Sequence, residues 1–114
     1  MEKTDYSKEL IETAHQICTS GKGILAADES PGSVEKKFKP IGLENNAENR
    51  RRYREMLLTS EGIENYISGV IFHEETAKQA NKDGVNFVEY VKSKGIVAGI
   101  KVDKGLGILN TIND

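Results

Sequence analysis

Three short apolar runs, each stopping at polar or charged residues, constrain the fold of this chain more than any other feature. Ile24-Leu25-Ala26-Ala27 stops at Asp28-Glu29-Ser30, and Ile67-Ser68-Gly69-Val70-Ile71-Phe72 stops at His73-Glu74-Glu75. The third run, from Ile96 to Val102 with Gly99 inside it, stops at Asp103. Runs of this length read as strands, and two of the three are nearly continuous in apolar content, the pattern of strands covered on both faces. The stretches between them are long enough for parallel crossovers. The expectation is an α/β chain in the order strand, helices, strand, helix, strand, with neither sheet edge protected.

The intervening segments supply the helices. Over residues 6–19, Leu10, Ile11, Ala14, Ile17 and Cys18 recur at helical spacing and form one apolar stripe, so Cys18 reads as a small core residue. Gly21 and Gly23 then open a turn. Ser30-Pro31 is a helix start, with Ser as N-cap and Pro at the first helical position. That helix is brief, because Pro40 and Gly42 interrupt it. Asn45 or Asn46 caps the next one, whose apolar face is Tyr53, Met56 and Leu57. A short helix around Phe87, Val88 and Val91 ends at Gly95. From Gly105 onward there are turn residues and no period.

Composition narrows the function. The 114 residues carry 16 basic and 18 acidic side chains, net −2, so a strongly basic nucleic-acid or membrane-binding surface is not expected. No apolar run approaches the ~20 residues that span a bilayer. One cysteine excludes an internal disulfide and a thiolate-rich metal site, which suits a reducing cytosol. Residues 1–20 have neither an apolar signal core nor an Arg/Ser-rich presequence. His15 and His73 are too far apart in sequence for a local metal site.

Chemistry in α/β folds gathers at the carboxyl ends of strands. Alternation puts Lys101 and Asp103 on one face of the third strand, about 6.6 Å apart at ~3.3 Å per residue, and Ile24, Ala26 and Asp28 on one face of the first. The plain alternative is a solvated strand end. The Ser30-Pro31-Gly32-Ser33 turn opens a helix directly after a strand, with Lys36 and Lys37 one turn on, and could hold an anion. An ordinary N-cap explains it as well. Gly21-Lys22-Gly23 lacks the spacing of a phosphate-binding loop. Arg50, Arg51, Arg52 and Arg54 form a basic knot, read most simply as a solvated helix surface paired with Glu48 and Glu55. His73 reads as structural.

These residues carry a resemblance. The stretch Gly21 to Ser30 (GKGILAADES) is similar to the first-strand motif of class I fructose-bisphosphate aldolases. So are Glu44-Asn45, Glu48-Asn49-Arg50-Arg51, Tyr53-Arg54, the stretch Gly69 to Glu74, and the stretch Gly99 to Gly105 (GIKVDKG). The resemblance runs in order over nearly the whole chain. It implies the N-terminal part of a TIM (β/α)8 barrel, about three of its eight strands. It also implies Schiff-base cleavage of fructose 1,6-bisphosphate to dihydroxyacetone phosphate and glyceraldehyde 3-phosphate in glycolysis, without a metal or other cofactor. Residue by residue, Asp28 matches the aspartate that contacts the Schiff-base lysine and helps move protons. Lys101 matches an active-site lysine, and Asp103 its neighbour. Ser30 and Ser33 match serines near a substrate phosphate, and Arg50 a phosphate-binding arginine. Lys37 stands where many members have a phosphate-binding arginine, keeping the charge without the bidentate fork.

The family's Schiff-base lysine, its glutamate acid/base and a later phosphate-binding arginine belong to later strands, absent from these 114 residues. Residues 1–114 are therefore expected to be one incomplete domain, inactive alone, of a cytoplasmic enzyme that is a homotetramer when full length. The rival expectations are a short, catalytically dead relative that acts by binding, and a stand-alone phosphate-binding α/β module.

Overall fold

The computed structural model describes residues 5–103; the motif residues Lys104 and Gly105 and the segment to Asp114 lie outside them. Helix α1 spans Ser7–Ile17, strand β1 Gly23–Ala27, helix α2 Pro31–Phe38 and helix α3 Ala47–Leu58. Strand β2 spans Ile67–Phe72, helices α4 and α5 Glu74–Ala77 and Phe87–Ser93, and strand β3 Val97–Ile100. The three strands form one parallel sheet in the order β1-β2-β3. The α/β reading holds and each apolar run carries a strand, but two helices, α4 and α5, stand between β2 and β3 where one was expected.

Local chemistry explains where the helices start and stop. Ser30 Oγ accepts the Ser33 N–H at 3.3 Å with Pro31 at the first helical position, as the sequence predicts. Of the two candidate caps for α3, Asn46 takes the role, accepting the Asn49 N–H at 2.8 Å. Asn45 instead donates to the Pro31 carbonyl, tying α3 to the start of α2. Helix α5 closes in a Schellman motif. Gly95, at φ +76°, donates to the Lys92 carbonyl while Ile96 N–H donates to that of Val91. Only glycine adopts that φ without strain, and the turn buries Ile96 against Val91 at the entrance to β3.

Register fixes which residues share a face. Ala27, Phe72 and Ile100 stand at one level and Leu25, Val70 and Ala98 at the next level of the same face. Except for Ile100, which is exposed, this face packs on Leu58 of α3, Phe87 and Val91 of α5 and Ile63, giving one apolar core. Burying each such side chain contributes about 1.5–3 kcal/mol. The opposite face carries Ile24, Ala26, Ile71 and Gly99, and Ile24 is 54% exposed.

Several expectations are corrected. Coverage on both faces holds only for central β2, where Ser68, Gly69, Val70 and Phe72 are all buried. In β1 only Ala27 is buried, and in β3 no residue is. Strand β3 is also shorter than residues 96–102, although Lys101 N–H extends the ladder by one bond, to the Phe72 carbonyl. The stripe of α1 is not core: Leu10 and Ile11 are exposed, and so is Cys18. The last turn of this helix is tied to the sheet region by Ser68 Oγ donating to the Ile17 carbonyl and Gln16 Nε2 donating to that of Gly95. On α3 the inward stripe is Arg54 and Leu58, leaving Met56 exposed. A charged residue takes the place that hydrophobic counting gave to Met56, because half-buried Glu75 and Gln79 and the Glu29 carbonyl accept its hydrogen bonds.

Candidate active site

The carboxyl ends of β1 and β3 bring the predicted charged residues together. Lys101 Nζ lies 3.9 Å from Asp28 Oδ2 and 4.0 Å from Asp103 Oδ1. Asp28 follows β1 by one residue and Lys101 follows β3 by one, with β2 between them. Alternation aims both toward the face opposite the core built with α3 and α5. Their side chains are 28% and 31% exposed, and both separations exceed hydrogen-bond range. Such a pair contributes about 0–1 kcal/mol to stability and leaves its polar atoms open to a ligand.

A cavity of about 580 Å3 opens here, lined by Ser30, His73, Glu74, Lys78, Ile100, Lys101, Val102 and Asp103. Ser30 thus joins the charged cluster from the start of α2. His73 follows β2 and caps α4, its Nδ1 accepting the Glu75 N–H at 3.2 Å, which bears out its structural reading while placing it on the cavity wall. Lys78, one turn along, bridges to Glu74 at 3.3 Å. Sequence reasoning passed over Lys78 and the four-residue helix α4. Their one signal was an i,i+4 Glu-Lys pair directly after a strand end.

The remaining predicted residues sit in a second, tighter network that does not line this cavity. Ser33 is held at the α2 start by the Ser30 hydroxyl, 3.2 Å from its own. Lys37 donates to Glu29 Oε1 and to the Tyr53 hydroxyl, both at 3.0 Å, and these two contacts, Tyr53 first, raise its pKa above the ordinary lysine value. Arg50 forms a two-pronged pair with Glu75 at 2.8 and 3.0 Å and donates to Asn45 Oδ1 at 2.8 Å. Arg54, only 2% exposed, donates to the Glu75 carboxylate, to Gln79 Oε1 and to the Glu29 carbonyl. The Arg50 hydrogen bonds, supported by Arg54, hold the Glu75 carboxyl down at about 2 although its burial acts the other way. Of the basic knot, Arg51 pairs with Glu48 and Glu55 as a helix surface would. Arg50 and Arg54 do not, because Glu75 draws them inward across the helix.

Comparison with known proteins gives this arrangement a context. The family model for glycolytic fructose-bisphosphate aldolase class-I matches residues 9–114. A relative named fructose-bisphosphate aldolase 1, from Toxoplasma gondii, is 49% identical over 110 residues, covering 96% of this chain and 30% of its own length. Fructose-bisphosphate aldolase C-A of Danio rerio is 56% identical over 104 residues, covering 90% of this chain and 29% of its own. Among solved structures, fructose-bisphosphate aldolase from Plasmodium falciparum, in complex with TRAP and a small molecule inhibitor, superposes with a TM-score of 0.87 at 44% identity. That match covers 97% of this chain and 32% of the other. The chain thus spans about 30% of the length of the curated relatives it matches. Its parallel sheet and helices are the N-terminal portion of a TIM barrel. With the family model matched along nearly its whole length, the chain belongs to the class I fructose-bisphosphate aldolases.

Proposed function

We propose that the complete protein containing this chain is a glycolytic lyase that cleaves fructose 1,6-bisphosphate by a Schiff-base retro-aldol reaction. The observation that carries this reading is the convergence of Asp28 and Asp103 on Lys101, which with Asp103 lines the cavity, in a chain of this family. In that reaction the amine of a lysine supplied by a later strand attacks the substrate C2 carbonyl, whose oxygen leaves as water to give an iminium. The C4 hydroxyl loses its proton, C3–C4 breaks, and the electron pair is taken up by the iminium as an enamine.

In this reading Asp28, on the β1 end, assists proton transfer at the nitrogen of that later lysine. Lys101 presents a cation to substrate oxygens and is kept in place by the two flanking carboxylates. Asp103 is the outer of the two. Ser30, Ser33, Lys37 and Arg50 are the proposed phosphate set, and the eight-residue helix α2 presents its N-terminus beside the cavity. Lys37 and Arg50 are engaged by Glu29 and Glu75, so a phosphate taken up by them must compete with those carboxylates. Residues 1–114 are read as part of one barrel domain, the complete enzyme as a cytoplasmic homotetramer. Among the described residues no helix is long and apolar enough to cross a membrane.

The test is cleavage of fructose 1,6-bisphosphate by the complete protein, followed by borohydride reduction and peptide mapping. The expected result is triose phosphate release and one covalently trapped lysine outside residues 1–114. A folded protein that binds the bisphosphate but neither cleaves nor traps it would instead fit a catalytically dead binding relative.

A further inference from the structure

The guanidinium of Arg54 is buried, yet none of its atoms lines the cavity. One nitrogen, Nη1, donates to Glu75 and Gln79 on the segment that follows β2. The other, Nη2, donates at 3.2 Å to the carbonyl of Glu29. That carbonyl lies between Asp28, the β1-end carboxylate, and Ser30, the cap of α2. Glu29 is gripped a second time through its side chain, which accepts from Lys37 at 3.0 Å and Tyr53 at 3.2 Å. Among the described residues, Asp28 has only the 3.9 Å approach to Lys101 to hold its carboxylate. Its direction is therefore set by its backbone, and that backbone is fixed one residue on by Arg54.

From this geometry we infer that Arg54 is a positioning residue, which orients Asp28 toward Lys101 by holding the Glu29 carbonyl against the segment after β2. The inference rests on the aldolase reading above. Arg54 touches no reacting atom in it. A planar fork is what the task requires, since one side chain must reach a carboxylate and a carbonyl in different directions. Lysine keeps the charge and can reach Glu75, but a single ammonium cannot hold both partners in the same geometry.

The experiment is a double-mutant cycle in the complete protein with Arg54→Lys and Asp28→Asn, following kcat and KM for fructose 1,6-bisphosphate. A displacement near 1 Å at a catalytic group costs on the order of 100-fold. Arg54→Lys alone is therefore expected to lower kcat about 10- to 100-fold, with KM changed by less than about threefold. In the Asp28→Asn background the same substitution should change kcat by less than about twofold, because the group it positions is already gone. A merely structural Arg54 would lower both backgrounds equally, and that additivity would overturn the inference. So would a full kcat in Arg54→Lys. If Arg54→Lys does not fold, Glu75→Gln takes its place in the cycle with the same expectations. Wild-type protein that fails to cleave the bisphosphate would overturn the functional reading itself, a result separable from additivity in an active enzyme.

Discussion

Asp28 and Glu29 are neighbours in the chain, as are Glu74 and Glu75, yet each pair divides between two unlike clusters. Asp28 and Glu74 belong with Lys101 and the cavity residues, where the Lys101 contacts are 3.9–4.0 Å and the groups are partly exposed. Glu29 and Glu75 belong with Lys37, Arg50, Arg54 and Tyr53, tied by hydrogen bonds mostly of 2.8–3.2 Å around a buried guanidinium. At the end of β1 alternation puts Asp28 on the face of Ile24 and Ala26 and Glu29 on that of Ala27, whereas Glu74 and Glu75 open helix α4 and leave it about 100° apart. Glu29 and Glu75 thereby reach Lys37 of α2 and Arg50, Tyr53 and Arg54 of α3. The contrast shows how a strand end can keep loosely held charges available for a ligand while its neighbours lock the backbone that carries them.

The sharpest way to break the contrast is to remove a member of the tight cluster. Arg54→Met leaves Glu75 paired with Arg50 alone and orphans the Glu29 carbonyl, so a loss of about 3–5 kcal/mol is expected in urea unfolding of the complete protein. A loss below about 1 kcal/mol would make the network as weak as the cavity pair.

Next comes acid. The Glu75 carboxyl titrates near 4.5 when unfolded and at about 2 in the folded chain. Its contribution is complete well above pH 4.5 and disappears as pH falls toward 2, an effect of about 3 kcal/mol. Glu75→Gln should flatten the stability profile in that window, where an unchanged slope would show the carboxylate is not held this way.

Two smaller tests mark the lower end of the scale. Asn46→Ala removes the cap of α3 and is expected to cost about 1 kcal/mol, with a matching drop in the unfolding midpoint. Met56→Ser, on the exposed side of the same helix, should fall within about 0.5 kcal/mol of wild type. A large effect there would restore Met56 to the packed face that sequence periodicity gave it.

The local half of this architecture was legible in the residues. Ser30-Pro31, Asn46 and Gly95 mark helix ends by chemistry that acts within four residues. The apolar runs and their alternation placed Lys101, Asp103 and Asp28 at strand ends on the correct side. What escaped was the pairing of distant charges: Arg54 and Glu75 are 21 residues apart, and only the packing of α3 against the segment after β2 joins them. The same blindness affected α1 and Met56. Periodicity shows that a helix has an apolar stripe, but what covers it is decided by the tertiary arrangement. Cys18 and Leu10 are accordingly exposed where a core was expected.

The measurement that goes most directly to the central claim is the cleavage rate and the melting midpoint of Lys101→Met, in one preparation of the complete protein. A loosely held lysine that presents its cation to substrate oxygens predicts a rate lower by about 100- to 1,000-fold. The midpoint should move by no more than about 2 °C, since a partly exposed pair contributes under about 1 kcal/mol. Retained cleavage, or unfolding in place of inactivation, would contradict the division between a chemical and a structural cluster.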